Sequence, residues 1–244
     1  MLLDKVGLQL YSLRDETAKD FPGTIRKVAA MGYKAVEFAG YGGMKPQELS
    51  ALIKDLGLEA YGAHVGSEKL EKTLDQEIEM NLALGNKYMV CPYAPIKTRD
   101  DTLRLADFLN GCNEKIRAAG MFLGYHNHAH EFEVDGGEYL LDILLTNADP
   151  SIFAEFDVFW VAYAGVDPVK YISKYPNRQP LIHLKELASN GKDNVEIGTG
   201  ALDFEKIIRT AHGLGTKRFI VEQEEYTMPS LDSCKASLDA LLKL

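Results

Sequence analysis

The sequence predicts an α/β fold, a single (β/α)8 TIM barrel in which residues 1–244 form one domain. Five times along the chain a helical stretch ends in glycine and a strand begins within a few residues, the junction that βαβ units use. The first three glycines, Gly32, Gly57 and Gly85, are separated by 25 and 28 residues, which fits one strand and one helix per unit. A chain of 244 residues accommodates eight units of about 30 residues.

The strands are predicted from nearly continuous apolar runs, which are typical of parallel strands covered on both faces. A doubly wound sheet is the alternative, but no Gly-x-Gly-x-x-Gly lies between a strand and a helix, and the number of repeats favours a closed barrel. Two long loops are expected, Phe132–Glu138 with a small hairpin turn, and Ala188–Leu202. The predicted strands are residues 5–11, 34–38, 58–64, 87–92, 121–127, 152–158, 181–186 and 218–223.

Helices are predicted between the strands from their start signals and from apolar residues at helical spacing. Pro22 and Pro46 lie in the first turns of two of them, where proline is favoured. The helical period predicts further helices at Glu68–Leu84 and Asp100–Ala119, and a closing helix that includes Leu238.

Composition and charge exclude several classes of protein. Hydrophobic residues make up 46% and charged residues 26% of the chain, which is typical of a globular protein and excludes a disordered one. The net charge of −9 argues against a nucleic-acid-binding surface, which needs clustered Lys and Arg. No apolar run approaches the roughly 18 residues of a membrane span, so no membrane partner is expected.

Location and redox chemistry are predicted from the N-terminus and the cysteines. The stretch Met1–Asp4 is charged too soon for a signal peptide, so we expect a cytoplasmic protein, unless an exported precursor has already lost its leader. The scattered Cys91, Cys112 and Cys234 predict neither a disulfide framework nor a Cys-rich zinc site. The sequence leaves the oligomeric state open, a homo-oligomer included.

Polar and ionisable residues gather where the predicted strands end, the end at which a (β/α)8 barrel carries its active site. Ionisable groups that converge there are costly unless they are paired or bind a metal. Five of the six histidines lie at or just beyond a strand end, whereas His212 lies in a helix, where a solvated or capping role fits. The candidate strand-end residues are Gln9, Glu37, His64, His126, His128, His130, Asp157, His183, Lys185 and Glu222.

Each of these residues taken alone also fits a structural role. A lone histidine after an apolar strand often only forms a hydrogen bond, and Asp157 could cap the helix or turn that follows it. Lys185 and Glu186 could form an ordinary surface ion pair. Glu222 needs a partner because it ends an apolar strand, which favours a functional role.

Other residues near the strand ends have plainer interpretations. Trp160 fits either core packing or a platform on which a sugar stacks. Glu224 and Glu225 are expected to be solvated. Cys91 is expected to pack in the barrel, since free cysteine behaves as a small hydrophobic residue.

Short motifs follow one another at the strand ends along essentially the whole chain. They are residues 7–12 (GLQLYS), 36–38 (VEF), 62–64 (GAH), 124–128 (GYHNH) with 131–132 (EF), 156–160 (FDVFW), 165–168 (GVDP), 183–186 (HLKE), 198–200 (GTG) and 221–224 (VEQE). Each motif is weak by itself, but their order is specific. In this order they resemble the xylose isomerase-like barrel superfamily, the sugar phosphate isomerase/epimerase group that includes inosose dehydratases and apurinic endonuclease-like proteins.

The resemblance implies a divalent metal site. Members of the superfamily bind the ion with a Glu, Asp, His and Glu from the fifth to eighth strands, and Asp157, His183 and Glu222 match the last three. The fifth strand departs from the pattern, because His126 stands where Glu is usual and Glu131 follows a few residues later. Either could complete the site. Glu131 is preferred because its loop can fold back over the barrel mouth, so Glu131→Gln is expected to lower metal affinity more than His126→Gln. Such a mixed oxygen and imidazole site suits Mn²⁺, Mg²⁺, Co²⁺ or Zn²⁺.

The resemblance also implies proton transfer next to a sugar carbonyl, assisted by the ion. The chain is therefore expected to be a sugar isomerase or epimerase that acts on a small-molecule sugar. The residues expected to transfer protons or orient the substrate are Glu37, His64, His128 and Lys185. The residues expected to contact the sugar are Gln9, His126 and Trp160.

Three other functions are alternatives. The fifth-strand His-Asn-His-x-x-Glu pattern resembles a subgroup that acts on oxidised sugars or glycosides, so the runner-up is a 3-keto-sugar lyase or hydrolase, or an inosose-type dehydratase. The charge of −9 and the small number of histidines disfavour an endonuclease-like phosphodiesterase. Retention of Asp157, His183 and Glu222 disfavours a silent sugar-binding barrel. No glycine loop marks a phosphate site, so phosphorylation of the substrate stays open.

Overall fold

Short parallel strands alternate with helices and close into a barrel. The computed structural model describes residues 6–244, in which eight parallel strands pair in chain order and the eighth pairs with the first. The predicted (β/α)8 barrel is therefore confirmed. The barrel strands are β1 Val6–Gln9, β2 Ala35–Phe38, β3 Glu59–His64, β4 Tyr88–Cys91, β5 Phe122–His126, β6 Phe153–Asp157, β7 Leu181–Leu184 and β8 Arg218–Val221.

Every strand lies within its predicted range, but six of the eight strands end earlier than predicted, and only β2 and β3 end at the predicted residue. After β1 the chain turns into a 3-10 helix, Leu10–Leu13. After β7 it forms a separate antiparallel pair, Glu186–Leu187 with Asn194–Val195, inside the long loop. Lys5 of the first predicted strand, and Met1–Asp4, on which the signal-peptide expectation rests, lie outside the described residues.

The helices that follow the strands cover the outside of the barrel. Thr98 and Asp101 form a capping box at the start of the longest helix, and the Asp20 carboxylate accepts a hydrogen bond from the Gly23 N–H at the start of another. The helices are α1 Arg14–Thr17, α2 Phe21–Met31, α3 Pro46–Asp55, α4 Ser67–Lys72, α5 Leu74–Ala83, α6 Arg99–Ala118, α7 Leu140–Asn147, α8 Val158–Tyr163, α9 Pro168–Ile172, α10 Phe204–Gly213 and α11 Ser230–Leu241.

One helix prediction is wrong, because Glu68–Leu84 is broken at Thr73. Thr73 has φ −134° and ψ 25°, which ends α4 and precedes α5. Its hydroxyl donates a hydrogen bond to the Lys69 carbonyl oxygen at 3.2 Å. A β-branched side chain that bonds to the backbone competes with helix continuation, and an apolar period alone does not reveal this.

The loop after β5 contains the small hairpin that the sequence predicts. Val134–Asp135 pairs antiparallel with Glu138–Tyr139, and glycines occupy the turn between them. The 3-10 helix His130–Phe132 lies between β5 and this hairpin. The chain therefore turns sharply just beyond the barrel mouth, by which we mean the end formed by the C-terminal ends of the strands.

Side chains inside the barrel form layers, because alternate residues of each strand face inward. The lowest layer is apolar and consists of Ala35, Tyr61, Val90, Phe153, Leu181 and Ile220. Along β6, the inward side chain two residues after Phe153 is Glu155, and the next inward side chain is Asp157. The barrel is thus apolar at its base and ionisable towards its mouth. Cys91 is fully buried, as expected.

The base layer leaves no room for a side chain on Gly124. A Cβ at this position would lie 2.3 Å from the Phe153 ring, whereas a Cβ on Gly111 in α6 meets nothing within 4 Å. We expect Gly124→Ala to lower the free energy of unfolding by ~1–3 kcal/mol through overpacking. Gly111→Ala should raise it by ~0.5–1 kcal/mol, because alanine favours a helix interior. Urea unfolding followed by circular dichroism measures both, and shifts of the same sign would contradict the packing described.

Candidate active site

Four ionisable side chains converge at the barrel mouth. His126 and Asp157 are the last residues of β5 and β6, His183 lies within β7, and Glu222 directly follows β8. Their nitrogen and oxygen atoms lie within 4.8 Å of one another, and all four residues are buried. We call these four residues the mouth cluster. Four successive strands of the barrel therefore supply one group of potential metal ligands.

The spacing within the mouth cluster suits ligands around one ion. His126 Nε2 lies 3.6 Å from Asp157 Oδ2 and 3.8 Å from Glu222 Oε2, beyond hydrogen-bonding distance. Both His126 Nε2 and Asp157 Oδ2 are buried without a hydrogen-bond partner among the described residues. Such atoms are costly unless something binds them. Two imidazoles and two carboxylates would satisfy a divalent ion and neutralise its charge, so the donor set fits one.

A supporting layer fixes the orientation of His183. Its Nδ1 lies 3.1 Å from Glu222 Oε2 in the mouth cluster, and its Nε2 donates a hydrogen bond to Glu37 Oε2 at 2.7 Å. Gln9 Nε2 also donates to Glu37 Oε2, at 2.8 Å. A carboxylate behind a histidine sets its tautomer and its ring orientation in metal sites. Glu37 therefore orients His183 from a fully buried position rather than facing the cavity, which differs from the proton-transfer role expected for it.

Glu155 extends this layer towards His64. Its Oε2 lies 2.8 Å from His64 Nε2, and Glu37, His64, Glu155 and His183 form a second group within ligand distance of one another. Burial and the Glu37 charge raise the pKa of Glu155. Burial opposes the charge on His183, but Glu155, Glu37 and Glu222 hold its pKa well above the usual range. Three carboxylates thus surround His183, and this concentration of negative charge also suits a bound cation.

The mouth cluster borders a cavity of about 330 Å³, which lies at the small end of the ~300–1,000 Å³ range of ligand pockets. His64 and His128 line it, and so do Tyr11 and Tyr93, which are 46% and 50% exposed. Burial and the neighbouring His126 lower the pKa of His128 to about 3. His128 is therefore neutral at physiological pH and suits hydrogen bonding better than acid catalysis.

A larger cavity, of about 760 Å³, lies away from the mouth between α6 and α7. Asn110, Arg117 and Asn147 are among the residues that line it, and none of the predicted site residues does. The volume of a cavity by itself therefore does not indicate where the candidate site lies.

Lys185 is fully buried next to the mouth cluster. Its Nζ lies 3.7 Å from Asp157 Oδ2 and 3.8 Å from Glu222 Oε2, and it donates a hydrogen bond to Glu224. Burial tends to lower the pKa of Lys185, but Asp157, Glu222 and Glu224 raise it, so the amine is cationic. The expectation that Glu224 is solvated is wrong, because its side chain is only 28% exposed and binds this buried cation.

Lys185 and Glu186 do not form a surface pair, since both are buried. Adjacent residues of an extended segment face opposite sides, and Glu186 turns to the long loop. Its carboxylate accepts hydrogen bonds from the N–H groups of Gly198 at 3.2 Å and Leu202 at 3.0 Å. Glu186 thus holds the loop in place while Lys185 lies beside the mouth cluster.

Glu131 lies behind β5, apart from the mouth cluster. Its Oε1 accepts a hydrogen bond from the Tyr125 hydroxyl at 2.7 Å, and its Oε2 accepts one from the His128 N–H at 2.8 Å. Tyr125 precedes His126 in β5, so its side chain faces away from the barrel interior. With both oxygens engaged there, the geometry favours His126 as the fifth-strand ligand, against the preference for Glu131 drawn from the sequence.

The order expected for the two fifth-strand variants is therefore reversed. Loss of a residue that only hydrogen-bonds to a metal ligand typically weakens metal binding by ~10–100-fold. We expect His126→Gln to weaken metal binding by more than this, and Glu131→Gln to weaken it by less. The glutamine at position 131 can still accept one of the two hydrogen bonds. Calorimetric titration with Mn²⁺ compares the two proteins. A greater loss in Glu131→Gln would restore Glu131 as a ligand.

The two other residues expected to contact a sugar differ in position. Gln9 is fully buried, and its side-chain oxygen accepts a hydrogen bond from the Tyr11 N–H at 3.0 Å. With its amide already bound to Glu37, both polar ends of Gln9 are used inside the protein, which differs from the expected sugar contact. Trp160 is half-buried, and its ring centroid lies 5.2 Å from that of His128. It therefore lies beside His128, in the lining of a smaller neighbouring cavity.

Glu155 is the residue that the sequence interpretation missed. It lies two positions before Asp157 on the same strand and therefore faces the same side. Its charge inside the otherwise apolar run that leads to Asp157 was the available signal.

Comparison with known proteins agrees with the barrel fold. The family model described as xylose isomerase-like TIM barrel matches residues 25–244. The chain belongs to this family. A sugar phosphate isomerase/epimerase from Parabacteroides distasonis, known from its crystal structure, is similar to this xylose isomerase-like barrel with 29% identity and a TM-score of 0.86, covering 98% of both chains.

Two curated relatives are inosose dehydratases. The one from Clostridium beijerinckii is 28% identical over 123 residues, which is 43% of this chain and 41% of that protein. The one from Geobacillus kaustophilus is 26% identical over 189 residues, 67% of this chain and 61% of that protein. The matches thus span less than two thirds of either relative. Among the helices of residues 6–244, none has both the length and the apolarity that crossing a membrane requires.

Proposed function

We propose that this xylose isomerase-like barrel is a divalent-metal-dependent sugar isomerase or epimerase, which moves a proton next to a sugar carbonyl. The observation that carries the proposal is the mouth cluster, with the unpartnered buried atoms of His126 and Asp157 facing two further ligands. His126, Asp157, His183 and Glu222 would hold Mn²⁺, Mg²⁺, Co²⁺ or Zn²⁺. Such an ion polarises a carbonyl and an adjacent hydroxyl, which makes the neighbouring proton more acidic.

Two of the ionisable side chains that border the cavity lie outside the mouth cluster and are each paired with a buried partner of opposite charge. His64 is paired with Glu155, and Glu224 is paired with Lys185. Burial tends to lower the pKa of His64, but Glu37 and Glu155 raise it, whereas burial raises the pKa of Glu224. A carboxyl group whose pKa is raised holds a proton more readily, and so does an imidazole whose pKa is raised, so both side chains suit proton transfer. We assign proton transfer to His64 and Glu224, with Lys185 and Glu155 positioning them.

His128 and Trp160 are the proposed substrate-orienting residues. His128 Nδ1 and Trp160 Nε1 are buried without a hydrogen-bond partner in the described part of the chain, so each has hydrogen-bonding capacity to offer a sugar. His128 lines the mouth cavity, and the Trp160 ring lies next to it, with 5.2 Å between the ring centroids. Aromatic faces combined with a few placed polar atoms are usual in small-molecule sites.

Dehydration is the second candidate, and the inosose dehydratases among the relatives favour it. Both reactions begin with removal of the proton next to the carbonyl. Return of a proton gives an isomer or epimer, whereas loss of a β-hydroxyl, protonated by an acid such as His64, gives dehydration. The 3-keto-sugar lyase reaction follows the same path with a larger leaving group.

Proton exchange in D₂O tests the proposal. The Mn²⁺-loaded protein is incubated with a panel of ketoses, inososes and 3-keto-glycosides, and deuterium next to the carbonyl is followed by NMR. Deuterium in an epimer or isomer supports the first candidate, and a conjugated enone that absorbs in the ultraviolet supports the second. Absence of both reactions with every compound would contradict the proposal.

A further inference from the structure

Glu224 lies in a segment without helix or strand, residues 222–229 between β8 and α11, which we call the β8 loop. The proposed proton transfer needs the Glu224 carboxylate to stay within hydrogen-bonding distance of the substrate. At an active site, a displacement of about 1 Å can lower the rate about 100-fold. Irregular loops are among the more mobile parts of proteins, so contacts that fix the β8 loop bear directly on the proposed reaction.

Arg14, the first residue of α1, binds the β8 loop at two points. Its Nη2 donates a hydrogen bond to the Glu224 carbonyl oxygen at 2.6 Å, and its Nη1 donates to the Tyr226 hydroxyl at 2.8 Å. The Tyr226 hydroxyl donates in turn to the Ser12 carbonyl oxygen at 2.6 Å. A guanidinium group suits this arrangement, because its donors are fixed in one plane. Arg14 therefore joins the β8 loop to the segment that follows β1.

The orientation of the Arg14 guanidinium is itself restricted. Its central carbon lies over the Tyr11 ring at 4.7 Å from the centroid, and over the Tyr226 ring at 5.4 Å. Nη1 also donates to the Tyr11 carbonyl oxygen at 3.2 Å. Aromatic faces attract a cation, so the two rings keep the half-buried guanidinium directed at the β8 loop.

Asn194, a buried residue of the long loop after β7, binds the same segment. Its Oδ1 accepts hydrogen bonds from the Glu224 N–H at 2.8 Å and the Glu225 N–H at 3.3 Å. Its Nδ2 donates to the Glu186 carbonyl oxygen at 3.0 Å. The N–H of Glu224 is thus held by Asn194, and its carbonyl oxygen is held by Arg14. Both backbone groups of the proposed proton-transfer residue are fixed by side chains of other loops.

We propose that Arg14 is a positioning residue for the proposed reaction, which acts by holding the backbone of Glu224. The proposal rests on the proposed function, in which Glu224 transfers a proton. The proposed metal ligand Glu222 is held differently, because its N–H donates to the Leu184 carbonyl oxygen of β7 at 3.2 Å. Loss of Arg14 should therefore displace Glu224 and slow proton transfer, without weakening metal binding.

Amide hydrogen exchange followed by mass spectrometry tests the attachment without any turnover. In Arg14→Met, the peptide that spans residues 223–229 should exchange ~10-fold faster or more, since a hydrogen bond to a charged group is lost. Arg178→Met is the matched control, because Arg178 is also half-buried and donates to the carbonyl oxygens of Ile152 and Asp149 near the base of the barrel. It should leave this peptide unchanged. Unaltered exchange in Arg14→Met would overturn the proposal.

Kinetics test whether Arg14 acts through Glu224. With the compound that exchanges fastest in D₂O, kcat of Arg14→Met should fall by ~10–100-fold, whereas KM and the calorimetric Mn²⁺ affinity should stay unchanged. Arg14→Lys keeps the charge but lacks the planar fork, so its kcat should be intermediate. If Arg14→Met does not fold, Arg14→Lys replaces it in every measurement.

A double-mutant cycle with Glu224→Gln decides the route. Two residues that act as one unit are not additive, so Arg14→Met should lower kcat no further in the Glu224→Gln protein. A further loss of the same size there, or an equal loss of Mn²⁺ affinity, would overturn the positioning role.

The measurements distinguish this proposal from the proposed function. Faster amide exchange with unaltered kcat would overturn the positioning role and leave the proposed chemistry intact. If the unchanged protein exchanged no substrate proton, the proposed chemistry would be overturned, and amide exchange would still decide whether Arg14 holds Glu224.

Discussion

Asp157→Asn is expected to abolish high-affinity metal binding and, with it, proton exchange. The substitution removes the charge of an unpartnered buried oxygen but keeps the side-chain oxygen that accepts the Phe159 N–H at 2.9 Å. The helix α8 therefore keeps its cap, and folding should be preserved. The loss of affinity should exceed the ~10–100-fold that removal of an outer partner causes. Calorimetry with Mn²⁺ measures the affinity, and deuterium exchange measures the chemistry.

Asp203→Asn is a matched control for this variant. Asp203 caps α10 in the same way, by accepting the Lys206 N–H at 3.0 Å, and it lies outside the mouth cluster. Its metal affinity should equal that of the unchanged protein. If Asp157→Asn also bound Mn²⁺ as the unchanged protein does, Asp157 would not be a ligand.

Glu37→Gln is expected to have the second largest effect, although Glu37 lies outside the mouth cluster. A neutral amide accepts a weaker hydrogen bond from His183 Nε2 than a carboxylate does, and it no longer raises the basicity of the ring. Metal affinity should fall by about 10–100-fold, with the fold preserved. Circular dichroism checks the fold, and the same calorimetric titration gives the affinity.

Glu131→Gln provides the control, because it alters another buried carboxylate that is hydrogen-bonded away from the mouth. The Glu37 variant should therefore lose much more affinity than the Glu131 variant. If both variants lost the same metal affinity, the total negative charge near the site, rather than the orientation of His183, would determine that affinity.

Much of the fold follows from the sequence, because it depends on a repeated local signal. Glycines such as Gly57 and Gly85 mark each helix-to-strand junction with positive φ, 66° and 68°, which other residues adopt only with strain. The same regularity places Asp157 and Glu222 at one end of the barrel. The break at Thr73 escaped prediction because a side-chain hydrogen bond, rather than the apolar pattern, causes it.

The details of the site depend on where side chains turn after the strands, which a periodic pattern does not specify. Glu131 and His126 are close in sequence, but the 3-10 turn directs Glu131 to Tyr125 on the outer side of β5. Glu155 pairs with His64 across 91 positions of the chain, a contact that only the closed barrel creates. The strand ends thus indicate the position of the site, and tertiary contacts decide which residue has which role.

Anomalous diffraction from crystals soaked in Mn²⁺ tests the central claim most directly, because it locates the ion relative to its ligands. The account predicts one strong peak bonded to His126, Asp157, His183 Nδ1 and Glu222 at distances of about 2.0–2.6 Å. Glu37 should remain hydrogen-bonded to His183 Nε2 in the same crystals. Absence of a peak at the mouth, or a peak held by Glu37, His64 and Glu155 instead, would contradict it.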